Sequence, residues 1–209
     1  MTSIVSVIIP VYNGASTLSL AVESLLAQSY PHWEALIIND GSTDGTQAYL
    51  EGLKDSRIKV FHQKNAGVSA ARNVGLSHMQ GDYFCFLDAD DALTKESLQS
   101  RLTVFANDTS VEFVDGKVHL MDMGMKHIVG EWSPNWEGNP LHDLIALSGR
   151  SFLVLLGCFV RFQVGNMNLW MALLIVRTYY STFSNHYMVG HTFLPLVQFW
   201  SIELVMHPL

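Results

Sequence analysis

Three carboxylates, Asp88, Asp90 and Asp91, surround a single Ala89 at the end of the stretch GDYFCFLDADD, residues 81–91. They follow Tyr83–Leu87, a short, mostly apolar run of the kind that forms a buried strand. Carboxylates bunched at a strand end repel one another and cost stability unless a cation or a hydrogen-bond network offsets them. Oxygen-only ligands suit a hard divalent ion, Mg²⁺ or Mn²⁺, which keeps several waters and bridges to a substrate phosphate. The plainer alternative is a solvated turn that caps the following helix through Asp91 or Thr94.

The elements that must position this turn can be read upstream of it. Val5–Val11 is a continuous β-branched run suited to a strand covered on both faces, with Pro10 near its end and Asn13-Gly14 beyond it. Ser16 or Thr17 is placed to cap a helix whose apolar positions Leu18, Ala21, Val22, Leu25 and Leu26 share one face. Trp33–Ile38 is a second apolar strand, ending in the polar string from Asn39 to Gly45. A helix through Gln47–Leu50 follows, then a short strand over Arg57–His62, the turn Asn65-Ala66-Gly67 and a helix from Ser69 to His78. Past the acidic turn, Thr94–Phe105 is again helical in pattern.

Strands and helices that alternate with short connections predict an α/β fold, a Rossmann-like, mostly parallel sheet flanked by helices. In such sheets ligands sit beyond the carboxyl ends of the strands, near the point where strand order reverses. Tyr12-Asn13, Asp40-Gly41 and the Asp88–Asp91 cluster all fall at strand carboxyl ends.

Each residue also has a plainer reading. Tyr12 can close the core and Asn13-Gly14 can be a simple turn. Asp40 can cap a helix, or accept hydrogen bonds from a ribose or base. Arg72 is either an exposed helical charge or, facing the strand ends, a bidentate partner for a diphosphate. His62, His78 and His119 show no ligand spacing and read as structural or surface residues.

A chain of 209 residues is one ordinary domain with room for a sizeable core. Its net charge of -7 and its pI near 5.6 exclude a nucleic-acid binder, which needs a basic face. Two cysteines, Cys85 and Cys158, make no disulfide framework and suit a reducing cytoplasm. The opening MTSIVSVIIPVYNG has neither a basic n-region nor a small-residue cleavage site, so no signal peptide is expected.

The strings VSVIIPVYNGASTLSLAVESLLAQSY, WEALIINDGSTDGT, NAGVSAARNVGL and GDYFCFLDADD, in this order from about Ser3 to at least Leu102, resemble the family 2 glycosyltransferases. These are inverting enzymes with the A-type nucleotide-sugar fold. The resemblance implies metal-assisted transfer of a sugar from a nucleotide-diphosphate donor, a UDP-sugar by default, to a hydroxyl of a saccharide or lipid-linked saccharide. It implies a divalent cation, Mg²⁺ or Mn²⁺, and a cytoplasmic enzyme at the inner face of the membrane on a polysaccharide pathway. By position, Pro10, Tyr12 and Asp40 would hold base and ribose, and Arg72 would lie near the nucleotide or diphosphate. Asp88 and Asp90 would form the DxD motif, Asp88 on the nucleotide side and Asp90 on the metal with Asp91 beside it.

The reading divides the chain into a nucleotide-sugar and metal half (1–110), the start of an acceptor-side half (111–152) and an anomalous apolar tail (153–209), so that the C-terminal part is incomplete or irregular. Val111–Met121 reads as a strand and EWSPNWEGNPLHDLIALSGR still resembles the family's acceptor side. The family's general base is an Asp or Glu there, often in an ED pair. Asp143 is the one candidate, though LHDLIAL reads as an amphipathic helix with Asp143 on its polar side. From Ser151 onward only Arg161, Arg177 and Glu203 are charged at neutral pH, and no ED pair occurs. Shifting the reading frame over VRTYYSTFS, Val176 to Ser184, permits a Glu-Asp pair, and the same offset gives family-like strings near the break and near the end. Residues after about Phe152 are therefore read as a frame-shifted continuation, lacking the general base and packing poorly, and the alternative reading of the chain is a catalytically impaired nucleotide- and metal-binding remnant. Ser151–Val160 is about half a membrane-spanning length and Leu169–Val176 is shorter, which leaves peripheral association as the expected membrane contact.

Overall fold

A computed structural model describes residues 3–111, 113–122, 126–132, 159–161 and 197–206. The elements run β1 (Val5–Val11), α1 (Leu18–Leu26), β2 (Trp33–Asp40), α2 (Thr46–Gly52), β3 (Ile58–Gln63), α3 (Val68–His78), β4 (Tyr83–Phe86), β5 (Ala92–Leu93), α4 (Ser97–Asn107), β6 (Phe113–Met121), β7 (Ile128–Trp132), β8 (Phe159–Arg161) and β9 (Val197–Met206).

The first half is the expected α/β unit. β1 pairs in parallel with β2 on one side and β4 on the other, and β3 adds in parallel beyond β2. The order β3-β2-β1-β4 means that the chain steps outward to β3, then crosses back over β1 to lay down β4. Strand order therefore reverses between β1 and β4, where a parallel sheet opens a crevice at its carboxyl edge. Every residue of β1 and β2 is buried, as strands covered on both faces must be.

The two faces carry separate apolar layers. On one, Val5, Val7, Ile9 and Cys85 of the sheet meet Leu18, Ala21 and Leu25 of α1 and Leu98 and Phe105 of α4. On the other, Ile8, Leu36, Ile38, Phe84 and Phe86 meet Ala71 of α3. The period-2 alternation of Val7, Ile8 and Ile9 between the two layers is what a strand requires.

Beyond β4 the sheet becomes mixed. β8 runs antiparallel to β4, β6 runs antiparallel to β8, and both β7 and β9 pair antiparallel with β6. β6 thus points the same way as β4. The tail that looks anomalous in sequence contributes two of these segments, β8 and β9. Asp143, the frame-shift test string from Val176 to Ser184 and most of residues 153–209 lie outside the described residues.

Two local expectations are corrected. Thr17 stands at the N-cap of α1 but makes no side-chain cap bond; instead the Gly14 carbonyl accepts from the Thr17 and Leu18 amides at 3.1 and 2.9 Å. Neither Asp91 nor Thr94 caps the helix after the acidic turn: the chain first enters β5, and Glu96 occupies the N-cap of α4. The acidic turn is not simply a helix start. Among the described residues no helix is long and apolar enough to cross a membrane.

Candidate functional site

Pro10 creates the crevice. The β1–β4 ladder closes with the Leu87 amide donating to the Ile8 carbonyl at 3.0 Å, and strand pairing stops at Ile8 opposite Phe86. Pro10, two residues on, has no N–H to continue it. On the other side β1 stays paired with β2 as far as Val11 opposite Asn39. The acidic turn therefore peels away from β1 while the loop after β2 stays close.

The loop after β1 is tied to the loop after β2. Asn13, in the left-handed region at φ 53°, accepts at Oδ1 from the Thr43 amide at 2.8 Å, and its own amide donates to Ser42 Oγ at 2.9 Å. The Gly14 amide donates to Thr46 Oγ1 at 2.9 Å and the Ala15 amide to Asp44 Oδ2 at 3.0 Å. The Thr46 hydroxyl bonds to the Asp44 carboxylate, the largest influence holding that carboxyl below its usual value. A Cβ on Gly14 would lie 2.6 Å from Val11 Cγ2 and 3.7 Å from Ala89 Cβ, so the first loop also sits against the acidic turn. None of Ser42, Thr43, Asp44 or Thr46 is singled out by sequence; only the polar density of NDGSTDGT signals them.

Asp40 ends β2, buried and committed. Its Oδ1 accepts from Gln63 Nε2 at 2.6 Å and from the Ala66 amide at 2.9 Å, and its Oδ2 from the Gly67 amide at 2.9 Å. An ionised carboxylate has roughly four acceptor positions, so about one is left for a ligand. Asp40 is not the cap of α2, whose N-cap is Gly45. It fastens the turn that leads into α3. Gly41, at φ 74°, is required beside it, because a Cβ there would stand 2.7 Å from the Asn65 backbone nitrogen.

Arg72, on α3, is fully buried and so is not an exposed helical charge. Its Nη2 donates to Asp88 Oδ1 at 2.7 Å, and its guanidinium lies over the Phe86 ring, 5.0 Å from the centroid. Burial pushes the Asp88 carboxyl up from its ordinary value, Arg72 opposes this, and the neighbouring Asp90 charge adds to the rise. Tyr12, by contrast, is 53% exposed on the lip of the crevice, and Asp90 is exposed while Asp91 is buried, its amide bonded to the Asp88 carbonyl.

The structure thus brings Pro10, Tyr12, Asp40, Arg72, Asp88 and Asp90 to one edge of the sheet. Among the described residues no three His, Cys, Asp or Glu gather into a metal cage. Mg²⁺ and Mn²⁺ do not need one, since they take one or two carboxylates and complete their shell with water and substrate phosphate. Exposed Asp90 next to Arg-held Asp88 is a donor set of that kind.

An uncharacterized glycosyltransferase of Rickettsia conorii is 36% identical over 160 residues, which cover 76% of this chain and 26% of that protein. The putative teichuronic acid biosynthesis glycosyltransferase TuaG of Bacillus subtilis is 44% identical over 102 residues, 47% of this chain and 40% of its own length. The chain therefore spans well under half the length of these curated relatives. Among solved structures, residues 1–349 of S. aureus TarS, crystallised with UDP-GlcNAc, match with a TM-score of 0.58 and 25% identity over 75% of this chain and 45% of that one. The family model described as Glycosyl transferase family 2 matches residues 6–142. With that match spanning most of the chain, the chain belongs to glycosyl transferase family 2.

Proposed function

We propose that this chain binds a nucleotide-diphosphate sugar across the β1–β4 crevice and transfers the sugar, with inversion, to an acceptor hydroxyl. The observation that carries the reading is the Asp88–Asp90 turn at the strand-order reversal, with Asp88 held by buried Arg72 and Ala89 lying against the β1–α1 loop. Tyr12 offers an exposed ring for the base, and Asp40 offers its remaining acceptor position to base or ribose. Asp90, with Asp88 and Asp91 beside it, would hold Mg²⁺ or Mn²⁺. Such an ion, when bound, supplies Lewis-acid stabilisation for the departing diphosphate. The TarS neighbour's complex with UDP-GlcNAc supports a UDP-sugar donor.

Arg72 acts here through Asp88 rather than by touching the diphosphate. It fixes the orientation of the first carboxylate of the turn and offsets its charge, so that a second carboxylate can stand in the same place. The acceptor is a saccharide or lipid-linked saccharide, and the setting is the cytoplasmic face of the membrane on a polysaccharide pathway.

A second reading, a nucleotide- and metal-binding remnant with impaired turnover, is favoured by one observation: after Asp143 the only carboxylate side chain within these residues is Glu203. Titration calorimetry with UDP, with and without Mn²⁺, paired with release of UDP from UDP-GlcNAc and UDP-glucose, separates the two. Mn²⁺-dependent binding with turnover supports the transferase, and binding without turnover supports the remnant. No binding in either condition would sink both.

A further inference from the structure

Gln28 joins two helix ends to the chain that leaves the acidic turn. It stands just past α1 and is 9% exposed. Its Nε2 donates to the Ser24 carbonyl at 3.0 Å and to the Thr94 carbonyl at 2.8 Å, and its Oε1 accepts from the Leu98 amide at 3.0 Å. Both amide hydrogens are committed, which fixes the orientation of the side chain. The Ser24 carbonyl is one that a helix C-terminus leaves without an intrahelical partner, and the Leu98 amide is its counterpart at a helix N-terminus. Glu96, at the N-cap of α4, makes no side-chain cap bond, so Gln28 supplies one from outside the helix.

The same stretch is bound to α1 and its C-terminal end at further points. The Leu93 amide donates to Ser24 Oγ at 3.0 Å, and the Ser29 amide to the Lys95 carbonyl at 2.9 Å. Ala92 and Leu93 are buried, and β9 pairs with them as well. The acidic turn is thus held from two directions. On the upstream side Arg72 of α3 holds Asp88, and the turn closes where the Asp91 amide donates to the Asp88 carbonyl at 3.1 Å. On the downstream side the chain is fastened by Gln28 at Thr94, three residues after Asp91. Asp90 stands exposed between these anchors, so its direction is set by the backbone on either side rather than by packing of its own.

We infer that Gln28 is a positioning residue for the divalent cation: by fixing the exit of the acidic turn on α1, it sets the direction of Asp90 and with it the affinity for the ion. This rests on the metal reading of the turn given above. Gln28 acts through the backbone of Thr94 and Leu98 and touches neither Asp90 nor the donor. Groups that orient metal ligands from behind change affinity by about 10- to 100-fold when replaced, and a group acting through three residues of backbone belongs at the lower end.

Gln28→Met keeps the length of the side chain and removes all three bonds. UDP is titrated into the full chain with and without saturating Mn²⁺, and backbone hydrogen exchange is followed without metal. The variant should keep its metal-free UDP affinity within about twofold of the wild type, lose about 10-fold of the affinity that Mn²⁺ adds, and exchange the Asp91 amide about 10-fold faster. Glu34→Gln is the structural control. Glu34 is similarly buried and binds Ser6, Lys59 and Gln80 near the amino end of β2, away from the turn. Its replacement should lower the melting temperature and leave the Mn²⁺ increment unchanged. Should Gln28→Met not fold, Ser24→Ala, which removes the acceptor of the Leu93 amide, should reduce the increment by about threefold, and Ser24→Thr should restore it. An increment unchanged in Gln28→Met, or lowered as far by Glu34→Gln, overturns the inference. A wild type whose UDP affinity does not respond to Mn²⁺ overturns the metal reading, and unchanged exchange at Asp91 in Gln28→Met would then overturn the fastening role as well.

Discussion

Arg72 Nη2 and Asp88 Oδ1 stand 2.7 Å apart, the arginine wholly buried under α3 and the aspartate partly open to the crevice. The pair joins the fold's interior to its acidic turn. Removing the cation strands Asp88 beside Asp90 in a poorly solvated place. Arg72→Met should cost about 2–3 kcal/mol in urea unfolding, below the range for fully buried pairs because Asp88 still meets water. Combining it with Asp88→Asn should recover part of that loss, a coupling that a double-mutant cycle measures. Additive effects would show that the two side chains do not work as a unit.

Asp40 should matter to the turn before α3 as well as to a ligand. Asn at this position offers an amide group where the Gln63, Ala66 and Gly67 donors converge. Asp40→Asn is expected to lose about 1–3 kcal/mol and to speed hydrogen exchange at the Ala66 and Gly67 amides. UDP affinity should fall with it. Exchange at those amides unchanged from the wild type would count against the fastening role.

The docking of α3 on the sheet depends on Gly75. A Cβ there would overlap the Ile8 Cγ2 methyl and lie 3.1 Å from Ile38 Cδ1. Because both neighbours are fully buried and have nowhere to move, Gly75→Ala should destabilise by about 1–3 kcal/mol despite alanine's better helix propensity. A gain in melting temperature would refute this.

Acid sensitivity should come partly from the far edge of the sheet. Hydrogen bonds from the Arg57 side chain and amide hold the Asp55 carboxyl down at about 2, and Arg57 also lies 3.8 Å from the centre of the Trp33 ring. A depressed acid stabilises the fold above its unfolded value of 3.8 and loses that contribution as pH falls toward about 2. Since both groups are partly exposed, Asp55→Asn should cost at most about 1 kcal/mol at neutral pH. Denaturant midpoints should show the gap between wild type and variant closing between those two pH values. A gap that persists at pH 2 would mean that charge is not its source.

Much of the fold was legible from local pattern. The apolar runs at Val5–Val11 and Trp33–Ile38 became the buried strands β1 and β2, because a strand covered on both faces needs no alternation. Helix starts were read less well: the cap of α1 is a carbonyl, and β5 intervenes before α4, since two-residue strands and backbone caps leave no side-chain signature.

The family and the carboxyl-edge residues, Pro10, Tyr12, Asp40, Asp88 and Asp90, are legible in the amino-acid order alone, because turn chemistry and apolar periodicity are local and those residues sit at their junctions. The partners of each side chain come from the folded arrangement. Burial turned Arg72 inward onto Asp88, hydrogen bonds from a turn 26 residues away occupied Asp40, and antiparallel register set His119, which reads as a structural or surface residue in sequence, against Glu131. Pairing across strands depends on register over long separations, and one residue of slip would send His119 to the other face.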